Sequence, residues 1–305
     1  MQIVSPFHVG ELAVQTRTGE SLTAERNSQV IGNQIPNGAL KFVDKQPMVI
    51  AASLGADRQI WVSVLAGKPG FALAENPSLV SLNTRLMVSA QDDVFWQNFE
   101  CQPFVGLLFI ELSSRRRLKV NGRLIADGAM YQLGVTESFA LCPKYIQKRE
   151  VEVSAPIGSS DAPIFTGINL TDELTTWIGR ADTFFVGSAH DPEHVDASHR
   201  GGKPGFVHVE GNQTLLVPDY KGNSLFNTFG NLTINPIAGL LFIDFDTGET
   251  LQLTGHADLI FDQPDQADDT GGTGRHWRFH IHAWRRQASL QRVAWTFVEY
   301  SPFNV

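Results

Sequence analysis

The chain of 305 residues carries only two cysteines, Cys101 and Cys142. Two thiols make no disulfide framework, so the fold must rest on an ordinary core. Long apolar runs are also missing. The longest, around 237–243, falls far short of the ~20 residues that a membrane-spanning helix needs. Residues 1–10 show neither a basic stretch nor an apolar one, so no secretory signal is expected, and the expected location is cytoplasmic. Positive charge is scarce: the formal net charge is −8. A chain-wide role on nucleic acid or on an anionic membrane needs a basic surface and is therefore excluded. No Gly-x-Ser-x-Gly, His-Glu-x-x-His or Walker segment occurs, which leaves hydrolase and nucleotide-triphosphatase readings without support. A Gly-x-Gly-x-x-Gly segment for a nicotinamide dinucleotide is absent too.

The chain does have core material and turns. Apolar residues make up 42% and charged residues 18%, with 20 Phe and 27 Gly. Its hydrophobic runs are short and cut by Gly or Pro, the texture of a β-rich protein. It also contains itself twice. Gly67-Lys68-Pro69-Gly70-Phe71 returns as Gly202-Lys203-Pro204-Gly205-Phe206. Across 103–122 and 236–255, eight of twenty residues are identical, where ordinary composition gives about one. This pattern reads as an internal duplication: a first copy over 1–150, a linker over 151–168 rich in Ser, Pro and Gly, and a second copy over 169–305.

Each copy has the same predicted outline. A strand (48–54; 184–189) is followed by a second at 60–65 and then by the Gly-Lys-Pro-Gly-Phe turn. Next come a short strand (79–81; 214–217), a short helix (94–99; 224–229), a buried strand (105–112; 238–245) and a hairpin strand from about 117 and 250. Runs such as Gly-Leu-Leu-Phe-Ile are too short for helices and fit strands buried on both faces. The fold class is thus mainly β, an antiparallel barrel with short flanking helices. Residues 11–34 are expected to form one or two helical turns. Thr171 caps a helix over 174–178, residues 144–149 form another, and 263–275 make a long exposed hairpin loop. The last strands are 276–284 and 293–300.

The densest polar constellation lies in the second copy. Ser198, His199, Arg200, Gly201 and Lys203 precede Phe206; Tyr220, Lys221, Gly222, Asn223 and Ser224 follow, then Asn227 and Asn231. Ser198, Arg200, Lys203 and Lys221 offer donors and positive charge, and the glycines let backbone N–H groups approach an anion. Gly222-Asn223 precedes a predicted helix, whose N-terminus favours negative charge. Asn227 and Asn231 suit the edge of a planar heteroaromatic ring, while Phe206, Tyr220 and Phe226 suit its face. The same residue types are what tight β-turns require, so from composition alone a ligand site and plain turn chemistry both stand.

The string from Ser198 to Phe206, with Pro218-Asp219-Tyr220-Lys221-Gly222-Asn223, Gly230-Asn231-Leu232, Asn235-Pro236 and Gly239–Phe245, resembles flavin-nucleotide-binding proteins related to pyridoxamine 5'-phosphate oxidase. Ser5-Pro6-Phe7-His8, Arg115–Gly122 and Cys142–Gln147 resemble the N-terminal module of longer members. The resemblance implies tandem split barrels of antiparallel Greek-key type and non-covalent FMN at a barrel–barrel interface. It would place Ser198 and Arg200 along the flavin and Lys221 to Ser224 at its phosphate. The usual Ser-Arg-Lys phosphate grip is replaced by Lys221-Gly222-Asn223, which sets the vitamin B6 reaction apart. In the first copy, Val88-Ser89-Ala90 and Ser63-Val64-Leu65 stand at the corresponding places, so its phosphate site reads as lost. The two halves are then expected to pack as a pseudo-dimer with one good site.

The expected function is an FMN-dependent oxidoreductase; the alternative is a flavin-binding or electron-transfer module serving a separate reductase. No catalytic residue is singled out, and a homodimer is the expected assembly. The basic cluster Arg115-Arg116-Arg117 with Lys119 and Arg123 reads either as facing a phosphate from the other barrel or as a solvated hairpin end. His190, His194 and His199, and His280 with His282, have spacings that invite a metal. No helix aligns the first set, and no metal site is expected. Cys142 precedes Pro143 as a buried structural thiol or as a helix-activated one.

Overall fold

A computed structural model of the chain describes residues 5–89, 92–128, 130–153, 163–265, 269–288, 290 and 293–305. Mainly antiparallel β structure results, as the short apolar runs imply. The first half holds helices α1 (Val9–Arg17), α2 (Ser21–Asn27), α3 (Leu40–Asp44) and α4 (Val94–Cys101). Its strands are β1 (Met48–Leu54), β2 (Ile60–Ala66), β3 (Ala72–Asn76), β4 (Leu79–Asn83), β5 (Phe104–Glu111), β6 (Arg116–Asp127), β7 (Met130–Ala140) and β8 (Lys148–Val153). The second half holds α5 (Asp172–Arg180) and α6 (Asn227–Ile234). Its strands are β9 (Phe165–Gly167), β10 (Thr183–Ala189), β11 (Val195–Gly201), β12 (His208–Glu210), β13 (Thr214–Pro218), β14 (Ile237–Ile243), β15 (Thr250–Ile260), β16 (His276–Gln287) and β17 (Val293–Glu299).

The two principal sheets run in matching order, β2-β1-β5-β6-β7-β4-β3 and β11-β10-β14-β15-β16-β13-β12. Registers match as well: Ile50 sits opposite Val64 as Phe185 sits opposite His199, and Val49 opposite Leu65 as Phe184 opposite Arg200. The turns after β2 and β11 are alike. Gly70 (φ 92°) and Gly205 (φ 95°) take the left-handed backbone that suits glycine, and Phe71 and Phe206 each fold back to donate to a lysine carbonyl. Bulges fall at corresponding places, Asn121/Gly122 and Thr254/Gly255.

Alternation along a strand sends side chains to two different cores. From β1, Val49 and Ala51 join Phe71, Val80, Leu82, Leu107 and Phe109 inside the first sheet, whose ends curl onto one interior. Ile50 and Ala52 point the other way and pack with Leu108, Ile110, Phe185, Leu241 and Ile243 between the two sheets. A separate interior built on Phe184, Phe242, Trp277 and Phe279 fills the second sheet. The sheets meet reciprocally, through glycines. A Cβ on Gly106 of β5 would lie 2.6 Å from the Val195 carbonyl of β11, and one on Gly239 of β14 would lie 2.5 Å from the Ile60 carbonyl of β2. Only a bare backbone permits that approach.

The halves also trade their ends. Helix α1, capped by reciprocal bonds between His8 and Glu11, packs on α6 of the second half, with Gly10 and Gly230 in backbone contact. Strand β17 returns to pair with β8. Thr171 caps α5 as expected, accepting from Leu174 N at 3.3 Å. The expected helix over 144–149 is instead a turn leading into β8, because β17 offers the 148–153 segment a partner strand. The linker expectation covers residues 154–162, outside the described residues, and Ala90 lies outside them too. Val151–Val153 and Phe165–Gly167, at its ends, are strands.

Candidate functional site

A cleft of about 110 Å³ lies where β6 of the first sheet meets β11 of the second. Register places Arg117 on β6 opposite Ile110 and sends its guanidinium across the seam. There Nε donates to the Cys142 carbonyl at 2.8 Å, and Nη1 lies 3.1 Å from His199 Nδ1. Arginine can only donate, so His199 Nδ1 accepts and the ring proton sits on Nε2. That Nε2–H is buried with no hydrogen-bond partner among the described residues. Arg200 lies beside it, Nη1 donating to the His199 carbonyl at 3.3 Å and Nε buried without a partner among the described residues.

Among the described residues, neither Arg117 nor Arg200 has a carboxylate within ion-pair distance; the two half-buried guanidiniums stand together, and the charges of Asp219 and Asp196 reach Arg200 only from farther off. Burial, and after it Arg200, pull the Arg117 guanidinium down to about 10, still a full cation at neutral pH. Burial, then Arg117 and Arg200, hold the His199 imidazole well below its usual value, so the ring is neutral. Of the other cations at the cleft, Lys144 lies over the Phe303 ring, and Lys119 and Arg275 are paired. Lys119 Nζ lies 2.6 Å from both oxygens of Asp196 in a buried pair, and Ser198 Oγ donates to the same carboxylate. Arg275 is bound by Asp219 at 2.9 Å and by Glu20 at 3.0 Å.

Aromatic rings wall the rest. Tyr145 and Tyr220 lie 5.0 Å apart between centroids, Phe206 packs beside Tyr220, and Arg275 lies over Phe226. The 221–227 loop forms the rim, with Ser224 and Phe226 both in the left-handed region. Helix α6 starts on this rim without a side-chain cap, and its first residues, Asn227 and Thr228, line the cleft. The N-terminal helices staple the loop from outside. Glu20 accepts from Ser224 Oγ at 2.6 Å, Glu11 accepts from Asn227 Nδ2 at 2.6 Å, and Asn27 Nδ2 donates to the Asn223 carbonyl.

No family model matches this chain, and no curated protein matches it. Solved structures do. One is a candidate pyridoxamine 5'-phosphate oxidase from Lactobacillus delbrueckii, at 11% identity and a TM-score of 0.32, over 39% of this chain and 94% of the other. A second is an FAD-binding protein from Mesorhizobium loti, at 12% and 0.30, over 41% and 99%. A third is a Clostridium acetobutylicum protein related to general stress protein 26 of the pyridoxinephosphate oxidase family, at 11% and 0.26, over 39% and 87%. Likeness at this level carries no statement about activity, and the fold stands on the strand order and registers above.

Of the residues singled out from sequence, Ser198, His199, Arg200, Gly201, Phe206, Tyr220, Gly222, Asn223, Ser224 and Asn227 all line the cleft. Lys203 and Lys221 do not: both are exposed, and Lys221 contributes only a carbonyl that accepts from the Tyr145 hydroxyl. Asn231 is buried away from the cleft, donating to Ser188 and facing His190. Ser224 and Asn227 are present, yet their donors are taken by Glu20 and Glu11. The basic cluster divides. Arg117 enters the cleft, Arg115 ties to Glu299 and to the Ile146 and Tyr300 carbonyls, and Arg116 reaches Glu111 at the surface. Lys144, Tyr145 and Arg275 were missed. Tyr145 was hidden by the helix expected there. Arg275 was read as part of an exposed loop, whereas its side chain is 7% exposed.

Proposed function

We propose that the cleft binds a flavin nucleotide, FMN, and that the chain serves as an FMN-dependent oxidoreductase. The observation that carries this is the Arg117–Arg200 pair: two half-buried guanidiniums, one from each sheet, with no carboxylate within ion-pair distance among the described residues and a wall of aromatic rings beside them. Such a pair calls for an anionic ligand, and the rings suit a flat one. The enclosed 110 Å³ takes an anionic group, whereas whole small-molecule sites span roughly 300–1,000 Å³. The ring system would therefore lie along the open mouth beside Tyr145, Tyr220 and Phe226. Arg117, Arg200 and the His199 Nε2–H would hold the anionic part, helped by the uncapped start of α6. The phosphate place first expected, at Lys221 to Ser224, fits less well, because Glu20 already accepts from Ser224.

FMN, when bound, supplies the electron chemistry. The protein's share is orientation: the guanidinium pair would fix the anionic part, and the aromatic wall would seat the ring. The Tyr220 hydroxyl keeps its proton, its pKa pushed up to about 12 chiefly by burial, while the Tyr145 hydroxyl already donates to the Lys221 carbonyl. We further infer that the two halves arose by duplication and form a pseudo-dimer with a single working site. The test is the visible spectrum of the purified chain, then titration with FMN followed by fluorescence quenching. A single FMN per chain, bleached by NADH or NADPH, supports the enzyme. Bleaching by dithionite alone supports the electron-transfer reading. A colourless chain that takes up no FMN refutes both, and two FMN per chain refutes the single-site pseudo-dimer.

A further inference from the structure

The turn between β10 and β11 gathers His190, Asp191 and His194 beside a second cavity of about 190 Å³, which shares only Asn227 with the cleft. Asn231 Nδ2 donates to Ser188 Oγ at 3.0 Å, so its Oδ1 is left to accept from His190 Nδ1–H at 3.2 Å. With that proton committed, a neutral His190 presents the lone pair of Nε2. It lies 3.3 Å from Asp191 Oδ2, a contact that either a proton on His190 or a shared cation would make favourable. The spacing suits a metal: ligands ~2.0 Å from a tetrahedral zinc stand about 3.3 Å apart. His194 Nδ1 lies 2.8 Å and 3.0 Å from the two Asp191 oxygens. One ligand atom from each residue lies within 4.8 Å of the others. A ring N–H fixed by an amide oxygen is also how proteins orient a metal-binding histidine.

The surroundings favour a cation without supplying one. The cavity is lined by Glu11, Glu137, Glu193 and Asp196, with no lysine or arginine among the described residues that line it; Lys119, behind Asp196, is bound to that carboxylate. Burial holds Glu11 up at about 7 and also raises Glu137, where Asp196 adds its repulsion. The His190 ring is sandwiched, with His194 at 4.7 Å and His8 at 4.0 Å between centroids. His8 does not supply the cation, because its Nδ1 accepts from Gly10 N–H. A second histidine cluster, His256, Asp258, His280 and His282, differs. There His282 donates to Gln59 and accepts from His256, and His280 donates to Asp258, so hydrogens alone close every contact.

We propose that His190, Asp191 and His194 form a binding site for a divalent transition metal of the zinc class, its remaining position open to the inter-sheet cavity. The test uses the full chain, stripped with a chelator and titrated with Co²⁺, reading the visible ligand-field bands, then with Zn²⁺ as competitor. Bands that saturate and are displaced by Zn²⁺ are expected. His194 is 61% exposed, so His194→Ala spares the core. It should abolish the bands, and Asn231→Ala should weaken Co²⁺ binding about 10- to 100-fold. His280→Ala should leave them intact, and melting curves show that each variant is folded. No Co²⁺ bands, or bands lost in His280→Ala but kept in His194→Ala, would overturn the proposal. The readout needs no flavin and stands apart from the reading of the cleft.

Discussion

The cleft has a counterpart, and the two differ in what fills them. In the cleft, β6 brings Arg117 and Lys119 against His199 and Arg200 of β11. In the counterpart, β15 brings Thr250 and Gln252 against Val64 and Leu65 of β2, at matching register positions. There Gln252 donates to Val62 O and Ser63 Oγ, Ser63 donates to Asp93, and Val64 joins the apolar core between the sheets. These polar groups are spent on one another. One place is a satisfied core; the other holds two half-buried cations with no carboxylate within ion-pair distance among the described residues. One architecture thus yields a packed seam or a site, depending on about four side chains, because a buried charge without a partner is costly unless a ligand relieves it.

The largest effect should come from making the cleft resemble its counterpart. Arg200→Leu, the residue found at position 65, should cost about 2–5 kcal/mol of FMN binding while leaving the ligand-free chain as stable or more so. Titration calorimetry and melting read the two signs. Equal loss of both would mean Arg200 is structural. Next come the glycines that let the sheets meet. Gly106→Ala and Gly239→Ala should each destabilise by about 1–3 kcal/mol, since a backbone carbonyl must give way. Only Gly106→Ala, which presses on β11, should also weaken FMN. Similar FMN affinities in the two variants would break the asymmetry between the seams.

A smaller effect is the pH dependence, measured in chelator. Folded Glu11 keeps its proton up to about 7, whereas the unfolded chain loses it near 4.5, so its contribution is present at low pH and fades as pH rises through 7. His8 acts oppositely: its folded value of about 4 lies below 6.5, so stability is lost as pH falls below 6.5. Glu11→Gln should flatten the decline between about pH 5 and 8, worth at most about 3 kcal/mol. An unchanged denaturation profile would contradict the assignment. Smallest is Glu20→Gln, which frees Ser224 and Arg275 from a full carboxylate. It should tighten FMN a few-fold, within about 1 kcal/mol. A loss of affinity would show that Glu20 positions the rim instead.

Much of the fold was open to reading from sequence because its cause is local. Short apolar runs can only be strands buried on both faces, Thr171 with acidic residues after it caps a helix, and Gly-Lys-Pro-Gly-Phe makes the same turn twice. The lining of the candidate cleft was legible where its residues lie along one strand and the adjoining loop, from Ser198 to Asn227. It failed where partners come from afar. Nothing near Ser224 announces Glu20, and nothing near Asp219 announces Arg275 as a buried partner. The segment around Tyr145 has a helical pattern, but β17 supplies a partner strand for residues 148–153 and the helix does not form. His190 and His194 have no helix to align them, yet the turn between β10 and β11 brings them together.

Sequence by itself determined the strand pattern, the repeated motifs and the supply of polar groups on β11, since periodicity and turn chemistry act within a few residues. Tertiary structure alone decided which charges are neutralised. Lys119, Arg275, Ser224 and Asn227 are each bonded to a carboxylate, whereas among the described residues Arg117 and Arg200 have none within ion-pair distance, because Asp196, Asp219, Glu20 and Glu11 reach the first group and stay farther from the second. Charge balance in a low-dielectric seam depends on distances of a few ångströms between residues far apart in the chain, and only packing sets those.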